Sequence, residues 1–240
     1  MSTSIVRLRR REEVAERTMA FHFDKPSGFQ FKEGQSVDLT LVDPPETDAE
    51  GNIRTFSIAS ASLDEQLMVA TRMRDTAFKR VLAAMPIGSA LQVDGPMGSF
   101  TLHRNIAKPA VLLAGGIGIT PFLSMIRQAA GDMRSQQLYL FYSNTRPEDA
   151  PFLDELQTLV AANPALHFIP TMTEMARSFR PWHGATGFID KKMVLGQLPD
   201  IQGPIYYVAG PPAMVVAMKG MLSGAAVDED DIRTEEFAGY

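Results

Sequence analysis

The chain contains no cysteine. Within its 240 residues this excludes a disulfide framework, a cysteine-ligated zinc, a thiol nucleophile and a cysteine-held iron–sulfur cluster. Histidine is scarce, and His22, His103, His167 and His183 lie far apart without the spacing of a metal site. A sustained basic face is missing too. The formal net charge is −5, so no nucleic-acid partner is expected. No run approaches the ~18 apolar residues of a membrane helix. An early basic cluster, Arg7, Arg9, Arg10 and Arg11, is followed by no apolar signal segment and reads as a surface strand edge. These absences predict a cytoplasmic protein with no membrane insertion. Internal repeats and low-complexity linkers are absent as well.

What is present divides into two patterns. Up to residue 105, short runs alternate apolar and polar side chains: Met19 to Phe23, Val37 to Leu41, Ile53 to Ala59 and Leu67 to Met73. Alternation of this kind marks strands with one buried face, and turn-formers such as Lys25-Pro26-Ser27-Gly28 and Asp43-Pro44-Pro45 separate them. Only Thr76 to Ala84 reads as a helix. Residues 1–105 are therefore expected to form an antiparallel β-barrel. From residue 106 to 240, wholly apolar strands (Ala110–Ala114, Leu138–Tyr142, Leu166–Ile169, Ile205–Ala209) alternate with amphipathic helices. That pattern predicts an α/β domain around a parallel sheet covered on both faces. Met214, Met218 and Met221 sit at helical spacing and read as core filler.

The second half opens on LLAGGIGITP, residues 112–121. A strand empties into Gly115, Gly116 and Gly118, and Thr120 and Pro121 open a helix. Glycines allow a tight turn and close approach of a ligand, and proline at a first helical position loses no hydrogen bond. The free N–H groups of the helix start suit a pyrophosphate.

Four more segments join this loop: RTFS (54–57), GPMGSF (95–100) as a turn closing the barrel, YVAGPPAM (207–214) and EEFAGY (235–240). In this order and spacing they resemble the ferredoxin–NADP+ reductase superfamily, in a form without an iron–sulfur domain. The resemblance implies a flavin on the barrel and a nicotinamide nucleotide on the α/β domain. It gives Arg54 a flavin phosphate, through bidentate hydrogen bonds, and gives Phe56 the isoalloxazine, in place of the family's tyrosine. Ser57 then sets a hydroxyl near the flavin N5, and Thr55 completes the strand. The other readings are a surface arginine and a strand serine. Thr71, Arg72, Met73, Thr76 and Ala77 lead into the small helix, whose start would cradle the diphosphate. Asp75 is read as its N-cap. Because this start departs from the family's pattern, FAD is placed only moderately ahead of FMN.

The same resemblance assigns Gly115, Gly116, Gly118, Thr120 and Pro121 to the nicotinamide nucleotide, together with Gly210, Pro211 and Pro212, where Ala209 replaces a cysteine. Ser143 and Arg146 are expected to accommodate a 2′-phosphate, with no acidic residue beside them, which leans toward NADP(H) over NAD(H). The alternative is a solvent-facing loop with Pro147-Glu148-Asp149 starting a helix. Glu235 would relay a proton, with Phe237 lying against the flavin and Tyr240 as its rival.

The expected activity is hydride transfer from NAD(P)H to FAD, then single electrons to a separate carrier. A ferredoxin or flavodoxin comes first; a haem protein, an oxygenase component or ferric complexes are also open. Arg72, Arg74, Lys79 and Arg80 form the candidate docking patch, and the protein is expected to be a monomer. Alternatives are a free-flavin or quinone reductase, or an electron-transfer or flavin-sensing subunit of a larger complex.

Overall fold

Six alternating segments pair antiparallel in the computed structural model, which describes residues 2–132 and 135–237. They are β1 (Ser2–Ala15), β2 (Thr18–Asp24), β3 (Ser36–Leu41), β4 (Ile53–Ser57), β5 (Gln66–Arg72) and β6 (Ala90–Met97), in the order β4-β3-β6-β1-β2-β5. Ile58 bridges Val69, which brings the two outer strands together and closes a barrel. The period of two is plain in β3, where Val37, Leu39 and Leu41 are buried and their neighbours are not. They share a core with Val6, Leu8, Phe21 and Val93. The helix α1 (Ala77–Ala84) adds Phe78, Val81 and Leu82 to that core.

Three local expectations are corrected here. The basic cluster is not on a sheet edge: β1 lies between β6 and β2, and Arg7 and Arg9 face outward beside buried Val6 and Leu8. Any barrel strand, interior or edge, shows that pattern. Gly95, Pro96 and Met97 are strand rather than turn, with Gly95 opposite Ser2 and Met97 opposite Ser36. Thr76, not Asp75, caps α1: its hydroxyl accepts from the Lys79 N–H at 3.4 Å, while Asp75 pairs with Arg80.

The second sheet is parallel throughout. Its strands β7 (Ala110–Gly115), β8 (Leu138–Asn144), β9 (Leu166–Met172), β10 (Ala185–Thr186), β11 (Ile205–Gly210) and β12 (Ile232–Glu236) lie in the order β10-β9-β8-β7-β11-β12. The chain runs outward from β7 to β10, then returns to the other side of β7 for β11. Ligands of such sheets bind at the carboxyl ends of the strands around that reversal. Helices α2 (Ile119–Gly131) and α3 (Leu153–Ala162) contribute to the core on one face, and α4 (Lys191–Leu195) and α5 (Pro212–Ser223) to the core on the other. Among the described residues no helix is long and apolar enough to cross a membrane.

The two sheets share a core. Ala20, Met68 and Ala70, on the outer side of β2 and β5, pack with Phe122, Leu123 and Ile126 of α2. These two strands are thus buried on both faces, where the alternation predicted one. Polar contacts lock the seam: the Ser124 hydroxyl donates to the Ser60 carbonyl at 2.7 Å, and Arg127 Nη1 donates to the Ala59 carbonyl at 3.0 Å.

Candidate active site

The glycine loop follows β7 as expected, but its glycines serve the protein first. A Cβ on Gly118 would lie 2.3 Å from the Ala209 carbonyl oxygen, and one on Gly115 would lie 2.4 Å from the Met214 sulfur. Gly116 has φ +49°, a left-handed conformation that glycine adopts at least cost. The absent side chains therefore let β7 and β11 approach each other. Helix α2 begins at Ile119, after a 3-10 turn over Gly116–Gly118. Thr120 is buried, with its hydroxyl donating to the Ile117 carbonyl at 3.1 Å, and Pro121 is buried beside it. These two, expected against the nucleotide, belong to the helix start. Gly118 is likewise buried.

Beyond the loop lies a cavity of about 430 Å³. Gly115, Gly116, Ser143 and Pro211, expected to meet the nucleotide, line it, whereas Gly210 and Pro212 do not. One wall is apolar, with Ile189, Met214 and Met218; Met214 is thus partly a lining residue and not only core filler. The other wall is polar and includes Arg72, Asn144, Thr145 and Asp149. Arg146 does not present itself for a 2′-phosphate. Its Nε and Nη2 donate to the two oxygens of Asp149 at 2.7 and 2.9 Å, and Nη2 also meets Glu16 at 2.6 Å. The expectation of no acidic residue here is overturned. Pro147–Asp149 forms a buried 3-10 turn rather than a solvent-facing loop, because Glu148 accepts the N–H groups of Phe179 and Arg180 at 2.8 and 2.9 Å. The hydrogen bond from Arg146 holds the Asp149 carboxyl below its ordinary range.

The two halves meet again at Ser57 and Glu235, which are 178 residues apart. β12 pairs with β11 and sets Glu235 opposite Ala209. The Ser57 hydroxyl donates to Glu235 Oε1 at 3.4 Å, and Oε2 is buried without a partner among the described residues. Burial pushes the Glu235 carboxyl up to about 7, against a smaller opposing effect of the Ser57 hydrogen bond. Phe237 is half-buried against the shared core, and its N–H donates to the Gly210 carbonyl at 3.0 Å. Tyr240 lies outside the described residues.

The residues expected to cradle a flavin phosphate hold anions of this chain. Arg54 Nη2 meets Glu50 at 2.7 Å and Asp48 at 3.6 Å, and its guanidinium stacks over Phe78 at 5.3 Å. The Ala77 N–H at the start of α1 donates to Asp48 at 2.9 Å. Two groups suited to a phosphate therefore already hold carboxylates, which is a chemical fit for an anion. Phe56, expected to be free for stacking, is buried against Phe78 with centroids 5.9 Å apart. Thr55 points outward to Asp38 at 2.5 Å. Thr71 is buried, Met73 packs on the barrel core, and Arg72 turns toward Asp149 at 3.6 Å rather than toward the barrel's helix.

Of the candidate docking patch, Arg74 is exposed, whereas Arg72, Lys79 and Arg80 are engaged within the chain. Arg80 meets Glu46 and Asp75. Lys79 donates to the Arg72 carbonyl at 2.6 Å, and burial lowers its amine to about 8. Asn144 and Asp149 are among the cavity residues that were not anticipated. Asn144 lies inside the quoted segment after β8, but nothing in its neighbours signals that its carboxamide is buried; Asp149 looked like an exposed helix start.

Residues 112–220 match the sequence model of an oxidoreductase NAD-binding domain. The glycine betaine monooxygenase reductase subunit of Chromohalobacter salexigens is 29% identical over 224 residues, spanning 92% of this chain and 60% of that protein. The chain thus spans about three fifths of that relative's length. Among solved structures, the flavohem-like FAD/NAD binding domain of nitric oxide dioxygenase from Vibrio cholerae superposes with a TM-score of 0.83 at 18% identity, covering 97% of this chain and 98% of that one. A ferredoxin NADP+ reductase from Neisseria gonorrhoeae with bound FAD and NADP gives 0.80 at 21% identity, covering 98% of both. Barrel, parallel sheet and NAD-binding signature are joined in this order, and the chain has the two-domain fold of these solved structures.

Proposed function

We propose that this chain is a flavin-dependent NAD(P)H oxidoreductase that passes single electrons to a separate carrier. Residues 1–105 bind FAD and residues 106–240 bind the nicotinamide nucleotide. The flavin, when bound, accepts a hydride and releases electrons one at a time. The observation that carries the reading is the meeting of Ser57 with Glu235 across the seam. A buried carboxyl titrating at about 7, with one unpartnered oxygen, can hold or release a proton near neutral pH. Ser57 orients Oε1 and leaves Oε2 to exchange the proton. Gly115, Gly116 and Pro211 bring the nucleotide cavity to the same ends of the strands, and Phe237 closes the site beside Gly210. Arg54 and the start of α1 hold the flavin phosphate after Asp48 and Glu50 give way.

With no cysteine in the 240 residues, the one-electron acceptor lies outside them. The relative from Chromohalobacter salexigens is named as a monooxygenase reductase subunit. That supports an oxygenase component or a ferredoxin as the carrier, in the reductase-subunit form of the reading. The test is the visible spectrum of the purified protein after FAD reconstitution, before and after anaerobic NADH or NADPH. Bleaching of an oxidised flavin spectrum by a nicotinamide nucleotide is the expected result. Failure to retain FAD or FMN would overturn the reading, and a stable yellow protein that neither nucleotide bleaches would leave a flavin-binding subunit.

A further inference from the structure

The polar wall of the 430 Å³ cavity carries an unanswered requirement. Asn144, at the end of β8, is 6% exposed, and both Nδ2 and Oδ1 are buried without a hydrogen-bond partner among the described residues. Leaving a buried donor and acceptor both unmet is costly, so such pairs are normally answered by a ligand or water. The residue lines the cavity, so the answering group comes from within it.

Charge decides which group fits. Arg72 lines this wall, and Arg146 is tied to it through Asp149. Arg146 is held by Asp149 and Glu16, and Arg72 stands 3.6 Å from Asp149. Two guanidinium groups therefore face two carboxylates, with no excess positive charge. A ribose hydroxyl both donates and accepts, so a vicinal diol can satisfy both atoms of the Asn144 carboxamide. A phosphate dianion only accepts. It would leave the 3′-hydroxyl as the sole ribose donor for Oδ1, add about two negative charges beside Asp149, and have to compete with that carboxylate for Arg146.

We propose that Asn144 binds the free ribose diol of the adenosine half of the nucleotide, and that Asp149 and Glu16, by neutralising Arg146, set the hydride donor as NADH rather than NADPH. This reverses the expectation drawn from Ser143 and Arg146, and it rests on the reading that a nicotinamide nucleotide occupies the cavity. Asn144 is the binding residue; Asp149 and Glu16 are positioning residues that act through Arg146.

The test is calorimetric titration of the full chain with ADP-ribose and with its 2′-phosphorylated counterpart, which needs no flavin chemistry. ADP-ribose is expected to bind about tenfold or more tightly than the phosphorylated fragment. Asn144→Ala should weaken ADP-ribose by about five- to tenfold. Glu16→Gln, in the turn between β1 and β2, should loosen Arg146 and narrow the preference; Asp149→Asn should do so further, with Glu16→Gln informative if the Asp149 variant does not fold. Equal or tighter binding of the phosphorylated fragment would overturn the proposal, as would an Asn144→Ala variant that binds both fragments as the parent does. Binding of neither fragment would overturn it together with the nucleotide reading. The expected preference, in a protein whose flavin no nucleotide reduces, would support this subsite and sink only the enzymatic function.

Discussion

Glu235 draws its chemistry from burial. Its ordinary carboxyl value of 4.5 rises to about 7 because a carboxylate is poorly solvated between β12 and the end of β4. The folded state then binds the proton more tightly than the unfolded chain. Stability contributed by this group is full below 4.5, falls as pH rises toward 7, and levels off beyond. Glu235→Gln should remove that fall, so the variant's advantage over the parent grows across the same window. Chemical denaturation at a series of pH values measures it, and an unchanged difference between the two proteins would refute the assignment. The same variant should slow flavin reduction by about 10–100-fold. Ser57 makes the one hydrogen bond that favours the ionised form. Ser57→Ala should therefore move the pH–rate profile of reduction toward alkaline values, read by stopped-flow absorbance; an acid shift would contradict the geometry. The residue types at both positions were legible in RTFS and EEFAGY. Their contact was not, since no local pattern relates positions 178 apart.

At the level of elements, the 3-10 turn and helix after β7 stand where a glycine loop and a proline predicted them, yet the reason differs at Gly118. The approach of β11, not of a ligand, forbids a side chain there: a Cβ would meet backbone atoms of Ala209 and Gly210 at 2.3–2.7 Å. Backbone cannot swing aside as a flexible side chain can. Gly118→Ala should cost about 1–3 kcal/mol of stability by thermal unfolding, whereas a glycine needed only for ligand approach would leave the melting temperature unmoved. Elements whose signal is periodic were readable: the alternation of β3, the apolar run of β7 and the helical spacing of α5 follow directly from which faces are buried. The short turn Pro147–Asp149 was not readable. Its acidic residues look solvent-seeking, and only the N–H groups of Phe179 and Arg180, brought over from beyond β9, explain why Glu148 is buried.

At the scale of the whole molecule, the seam between barrel and parallel sheet is a continuous core with polar locks. Ser124→Ala would strand the Ser60 carbonyl in that core, at a cost of about 1–3 kcal/mol. A single calorimetric transition, shifted down, is expected; an unshifted transition would mean the seam contributes nothing to stability. The same seam makes the cavity's charge balance, because Glu16 belongs to the barrel side and Arg146 to the sheet side. Hydrophobic periodicity, turn chemistry and the order of glycine-rich segments were enough to specify two sheets and their strand types, since each is a local consequence of side-chain size, polarity and backbone freedom. The double burial of β2 and β5, the pairing of Ser57 with Glu235, the sequestering of Arg146 and the unanswered carboxamide of Asn144 depend on surfaces that meet only after both halves have folded. Desolvation and charge pairing act through space, so these properties had no counterpart along the chain.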